Sequence, residues 1–252
     1  MQANLYLLQV LSKKKITTLD RQRVFSLARQ LHPEIKEWAD KYLIGIIPSG
    51  SYAKGTGVKG ITDIDLFISL KNQTPFTLKE IYDSLYDFFN FFLQVKKQSV
   101  SIGINYKGLK IDLVPAKRMP DAIYPHSIYV NKKNTWTKTN INKHISVVRN
   151  SVRSNEIILM KIWRELNELD FPSFYLELTV IEALKGKKIV SLEKNIMTIF
   201  EYLRERFIYA RIVDPANSQN IISDDLTDSE KQKIIETALI SYNEPYWNNI
   251  IW

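Results

Sequence analysis

The stretch "ITDIDLFISL", residues 61–70, constrains the fold more than any other part of the chain. Ile64, Leu66, Ile68 and Leu70 recur at every second position, and Asp63, Asp65, Phe67 and Ser69 occupy the other register. Alternation of period two is the mark of a strand with one buried face. Two aspartates two residues apart then leave the strand on the same face, roughly 6.5–7 Å apart at Cα. Directly before them stands "SGSYAKGTGVKG", residues 49–60. A P-loop requires lysine and then Ser or Thr straight after its second glycine. Here Thr56 and Gly57 follow Gly55, and Lys54 precedes it, so the register excludes a P-loop.

The remaining pattern sorts into two blocks. Residues 19–41 read as a helix carrying Val24, Leu27, Ala28, Leu31, Ile35 and Trp38, with Pro33 predicting a kink or a break. "YLIGII" reads as a short buried strand ending at Pro48. Thr77 with Glu80 forms a capping box that opens a helix through about Leu93. "SVSIGINY", a Lys-Gly turn and "LKIDLVPA" read as a hairpin. Beyond about residue 140 the pattern is helical, with helices expected over 145–169, 174–185, 191–209 and 228–242, the last opened by a Thr227–Glu230 box. The expected architecture is α+β: a mixed sheet with helices over 1–140, followed by an α-helical domain over 141–252.

Asp63 and Asp65 can converge on a pair of hard cations, and two Mg²⁺ ions about 3.5–4 Å apart activate an attacking oxygen and neutralise a leaving pyrophosphate. Such ions take oxygen ligands and share them with substrate phosphates. Asp112 in "KIDLVP" is the candidate third carboxylate, because Ile111 and Leu113 face away from it and an Asp inside a strand is otherwise disfavoured. A lone Asp-x-Asp usually caps a loop or solvates an edge. Gly50 and Ser51 shift that balance. A strand that ends in Gly-Ser and enters a helical turn offers backbone N–H groups and a hydroxyl to phosphate, and Gly50 permits the close approach.

Taken together, "GSYAKGTGVKGITDIDLFI" and "KIDLVPA" resemble the signature of the DNA polymerase beta-type nucleotidyltransferase superfamily: Gly-Ser, a spacer, Asp-x-Asp, and a later strand Asp. The resemblance implies a polymerase beta-like core in which Asp63, Asp65 and Asp112 bind two Mg²⁺ or Mn²⁺ ions and Gly50 and Ser51 hold the triphosphate. The second block resembles the branch that groups oligoadenylate synthetases with bacterial CD-NTases, animal cyclic GMP-AMP synthase and archaeal CCA-adding enzymes. "LMKIWREL" resembles the helix whose lysine, here Lys161, reaches the phosphates. "FPSFYLELTVIEAL" resembles the helix start with a phosphate-binding Ser173 and a base-stacking aromatic, Phe174 or Tyr175. "HSIYVNKKNTWTKTNINKH" and "DPANSQNI" resemble the branch's linker tryptophan and late Asp-Pro segment, which are Trp136 and Asp214. Each has a structural reading beside it: Lys161 on a solvated face, Ser173 as a helix N-cap, Phe174 and Trp136 in the core.

Composition bears on substrate and compartment. The net charge of +8 favours polyanionic partners, although a lysine-rich solvated surface accounts for it equally well. The lysines are scattered, and no aromatic–basic stripe stands out in the sequence. With no cysteine the chain has neither disulfides nor thiolate metal sites, and three histidines without ligand spacing read as structural. Lysines follow rather than precede the N-terminal apolar stretch, against a signal peptide, and no run has membrane-span length, so a cytoplasmic protein is expected. The resemblance implies a template-independent transfer of NMP from an NTP, ATP foremost, to a hydroxyl. The leading product is a cyclic or linear oligonucleotide second messenger in bacterial antiviral defence. Addition to an RNA end, with tRNA first, is the enzyme alternative, and a non-catalytic nucleotide or RNA sensor is the alternative from another class. A chain of 252 residues leaves little room for the tRNA-gripping domains of CCA-adding enzymes.

Overall fold

The computed structural model describes residues 2–120, 124–188 and 191–252. The chain forms two compact units that interleave in sequence: Thr17–Lys54 with Thr62–Ile145, and Met1–Ile16 with Gly55–Ile61 and Ser146–Trp252. Spatial grouping therefore differs from the expected blocks 1–140 and 141–252, because residues 1–16 and 55–61 group with the C-terminal helices.

Helix α1 (Gln2–Lys14) belongs to the helical unit and buries Leu7, Val10 and Leu11 there. In the sheet unit, the helix expected over 19–41 is two: α2 (Thr18–Arg29) and α3 (His32–Ala39). Pro33 lies in the first turn of α3, where its missing N–H has no intrahelical acceptor to lose. A Thr17–Asp20 capping box, unread in the sequence, starts α2. The next elements are β1 (Leu43–Pro48), α4 (Gly50–Lys54), β2 (Ile64–Leu70) and α5 (Leu78–Asn90). The unit is completed by β3 (Val95–Lys97), β4 (Ile102–Tyr106), β5 (Leu109–Arg118), β6 (His126–Val130) and β7 (Thr135–Thr139). The expected box at α5 is present, with Thr77 N donating to Glu80 Oε2 at 2.8 Å. The β4–β5 hairpin turns at Lys107 and Gly108, with φ of 51° and 78°, the double left-handed conformation that a tight two-residue hairpin demands.

The sheet runs β1-β2-β5-β4-β3, with β6 on β5 and β7 on β6. β5 is long enough to pair β4 along Leu109–Leu113 and β6 along Ala116–Arg118. β2 and β5 are parallel. The alternation in β2 sorts as expected: Ile64, Leu66, Ile68 and Leu70 join Ile81, Tyr82, Leu85 and Phe89 of α5 in one core, and Phe67 packs with Ala116 and Ile128 on the opposite face. Each such fully buried side chain contributes about 1.5–3 kcal/mol. This core fixes the strand register that places the aspartates.

The chain passes into the helical unit within α6 (Ile141–Asn150). The helix expected over 145–169 is broken at Val152, whose φ of 57° is left-handed, and resumes as α7 (Ser154–Leu166). α8 (Ser173–Ala183), α9 (Leu192–Glu205), the short hairpin β8 (Val213–Asp214) and β9 (Asn217–Ile221), and α10 (Asp228–Asn243) follow. The Thr227–Glu230 box opens α10 as read. No described helix is long and apolar enough to cross a membrane.

Candidate active site

Gly50 opens α4 immediately after β1, with φ of +57°. A Cβ there would lie 1.7 Å from Asp65 Oδ2, so the backbone meets the carboxylate at a distance that only glycine allows. Ser49 N donates to the Asp65 carbonyl at 2.8 Å, pinning the turn to β2. Ser51, the next residue, is buried. On the other side of β2, Asp65 stands in register with Asp112 of parallel β5. Asp63 lies just before β2 begins, not within the strand as its alternation suggested. Asp63 and Asp112 line a cavity of about 460 Å³ together with Lys96, Gln98, Asn105 and Lys110.

The electrostatics follow from this crowding. Burial first, then the negative charge of Asp63, pushes the Asp112 carboxyl up to about 6, against the opposing hydrogen bonds of Gln98 and Ser101. Gln98 Nε2 donates to Asp112 Oδ1 at 2.8 Å. Burial also raises Asp63, and Lys110 offsets part of that rise. The carboxylates of Asp63, Asp65 and Asp112 form an all-oxygen donor set, which fits a hard divalent cation. Among the described residues, no three acidic or histidine side chains stand gathered tightly enough to hold an ion as placed.

The expected site residues of the second block lie in the helical unit. Lys161 is not on a solvated face: it is 2% exposed, 2.6 Å from Glu177 Oε1 and 3.2 Å from Thr56 Oγ1. Ser173 begins α8 but does not cap it. Pro172 is the N-cap residue, and Ser173 Oγ accepts from Arg164 Nη1 at 2.9 Å. Tyr175 corrects its expected role. It is 0% exposed, packed against Phe171 and Phe207 at ring distances of 5.1 and 5.4 Å, which leaves no face for a base. Burial raises its hydroxyl above the ordinary tyrosine range. Phe174, beside it, is half-buried and keeps a solvent-facing part. Asp214 is buried and accepts from Ala216 N at 2.8 Å, an Asx turn in the β8–β9 hairpin. Trp136 is 57% exposed on β7, not core. His126 is structural: buried, it donates from Nδ1 to the Tyr124 carbonyl and accepts from Ser69 Oγ, both at 2.7 Å.

The sequence reading did not identify Gln98, Lys110, Glu177 or Thr56. The first two reach Asp112 and Asp63 only through strand pairing and the α5–β4 connection, which leave no local signal. Glu177 sits in the apolar run of "YLELTVIEAL", where one acid among buried positions was a detectable anomaly.

A mixed sheet that sets a Gly-Ser turn against one aspartate, and a second aspartate in register on the adjacent parallel strand, defines a nucleotidyltransferase. The chain belongs to the SMODS family, the Second Messenger Oligonucleotide or Dinucleotide Synthetase domain, whose model matches residues 1–151. It is 25% identical over 262 aligned residues to a cyclic AMP-AMP-AMP synthase of Escherichia coli, covering 87% of this chain and 81% of that one. It is 27% identical to a CCA-adding enzyme of Methanosarcina mazei, over 69% of this chain and 40% of the enzyme. Among solved structures, E. coli CdnC with ATP superposes with a TM-score of 0.77 at 21% identity, covering 97% and 96% of the two chains. The Bradyrhizobium diazoefficiens CD-NTase CdnG with GTP gives 0.78 at 12%, covering 94% and 89%. Nucleotidyltransferases of this family generally use divalent metal ions.

Proposed function

We propose that the chain joins nucleotides without a template, moving NMP from an NTP to the hydroxyl of another nucleotide and making a cyclic or linear oligonucleotide second messenger. The observation that carries this reading is the Gly50–Asp65–Asp112 alignment across α4, β2 and β5. ATP is the foremost substrate, because the relative similar over most of the chain is a cyclic AMP-AMP-AMP synthase. Antiviral defence in the bacterial cytoplasm is the setting this product implies.

Asp63, Asp65 and Asp112 would hold two Mg²⁺ or Mn²⁺ ions, which when bound supply Lewis-acid neutralisation of the phosphate charge. Ser51 and the backbone after Gly50 hold the triphosphate. The acceptor oxygen bonds to the α-phosphorus while the bond to the bridging oxygen breaks and pyrophosphate leaves. Asp112, oriented by Gln98, takes up the proton that the acceptor hydroxyl loses as this bond forms. Ser173 and Lys161 contribute phosphate contacts and Phe174 a stacking face.

Labelled NTPs incubated with the protein and Mg²⁺ or Mn²⁺, with and without bulk tRNA, test the reading. A phosphatase-resistant nucleotide product formed from NTPs alone is expected. The similarity to the CCA-adding enzyme favours one second reading, addition to an RNA end. Label found only on tRNA, and only when tRNA is present, replaces the first reading by the second.

A further inference from the structure

Within the sheet unit, α3 and the end of α5 bound a cavity of about 520 Å³, lined by Glu34, Glu37, Asp87, Phe88, Phe91 and Phe92. Trp38 Nε1 donates to Ser84 Oγ at 3.2 Å and pins the two helices to each other. Three of the lining side chains are aromatic. Phe92 packs 5.6 Å from Phe88 and 5.5 Å from the fully buried Phe89, yet it is 49% exposed, and neighbouring Phe91 is 92% exposed. Such apolar surface left to solvent at adjoining positions marks a contact face. The other three are carboxylates. Glu34 Oε2 is buried without a hydrogen-bond partner, and among the described residues none of Glu34, Glu37 and Asp87 forms an ion pair. Asp83, one turn earlier on α5, is by contrast held by both Lys79 and Lys97. The last turn of α5 contains no basic residue, so its carbonyl end adds to the negative field around Asp87.

In a chain of net charge +8, three unpaired carboxylates beside exposed phenylalanines are a local reversal of charge. The buried oxygen of Glu34 costs free energy until a donor reaches it. Phenylalanine faces attract apolar side chains and cations alike. We propose that this α3–α5 face is a docking surface for a partner protein that presents a basic amphipathic helix. An apolar side chain of that helix covers Phe91 and Phe92, and a Lys or Arg about one turn away meets Glu34 and Glu37. Phe91 faces solvent almost entirely, so a helix laid over it buries area that a small molecule inside the cavity does not reach. A second copy of this chain carries the same +8 and meets long-range repulsion, which favours a different chain as the occupant.

The probe is a fluorescein-labelled amphipathic peptide of leucine and lysine, titrated with the full chain and followed by anisotropy. Two control peptides keep its pattern, one with glutamate for lysine and one with serine for leucine. Saturable binding of the leucine–lysine peptide is expected despite the protein's overall positive charge. It should weaken about tenfold in Phe91→Ser and in the double variant Glu34→Gln with Glu37→Gln, with melting temperatures unchanged. Phe91→Leu, which keeps an apolar contact, retains most of the affinity, and added salt lowers it. Failure of the leucine–lysine peptide to bind, equal binding of either control peptide, or unchanged affinity in the serine and glutamine variants overturns the proposal. Self-association measured by sedimentation and lost in Phe91→Ser assigns the face to a second copy of this chain and overturns it as well.

Discussion

Lys161 Nζ lies 2.6 Å from Glu177 Oε1, with the two side chains 2% and 0% exposed. Thr56 Oγ1 donates to the same oxygen at 2.6 Å, so one carboxylate ties α7, α8 and the glycine-rich segment 55–61 together inside the helical unit. Glu177→Ala strands a buried ammonium and is expected to cost about 3–5 kcal/mol in urea unfolding. The double replacement Lys161→Met with Glu177→Leu removes both charges and should cost far less. A single variant as stable as wild type would show that the pair carries no such burden.

Lys161→Ala separates the structural role of that lysine from the proposed phosphate contact. An ammonium is a point charge that offers much to a triphosphate and little to a base. Affinity for ATP is expected to fall more than affinity for adenosine in calorimetric titrations. Equal loss for both ligands reduces Lys161 to a folding residue.

Gly50→Ala forces a methyl to within 1.7 Å of Asp65 Oδ2 and strains a left-handed backbone. Activity is expected to fall to background, and the melting temperature should drop as well. Near-normal turnover in this variant, measured by pyrophosphate release, removes the Gly50–Asp65 contact from the site.

Asp63→Asn and Asp65→Asn keep shape and remove charge, so pyrophosphate release should vanish while the circular dichroism spectrum and melting temperature hold. Full turnover in either variant with Mg²⁺ or Mn²⁺ supplied sinks the assignment of these carboxylates to the metal ions.

Asp112→Asn couples stability to function. The folded protein raises this carboxyl from 3.8 to about 6, so the native state favours its neutral form. Its contribution is fully present below about pH 4 and is lost as pH rises through 6. In EDTA, Asp112→Asn should therefore match wild type near pH 4 and exceed it above pH 6, by at most about 2–3 kcal/mol. The same variant should bind NTP and fail in turnover. A stability gap that does not change with pH contradicts the raised carboxyl.

What the sequence by itself determined was local. The period-two pattern assigned the faces of β2, the Thr77 and Thr227 boxes set the starts of α5 and α10, and Lys107-Gly108 placed the hairpin turn. Asp65 and Asp112 stood out in the sequence because carboxylates inside apolar strands are costly without a reason, whereas Asp63 falls just outside β2. Tertiary structure decided which of these meet: Asp65 beside Asp112, Gly50 against Asp65, Gln98 on Asp112. It also buried Lys161 and Tyr175, and it sent α1 and residues 55–61 to the helical unit. Periodicity and caps are written within a few residues, so they survive in a linear reading. Strand register and burial on a largely apolar helix such as α8 depend on what packs against them, and Tyr175 and Phe174 are told apart by which side of that helix the rest of the core covers.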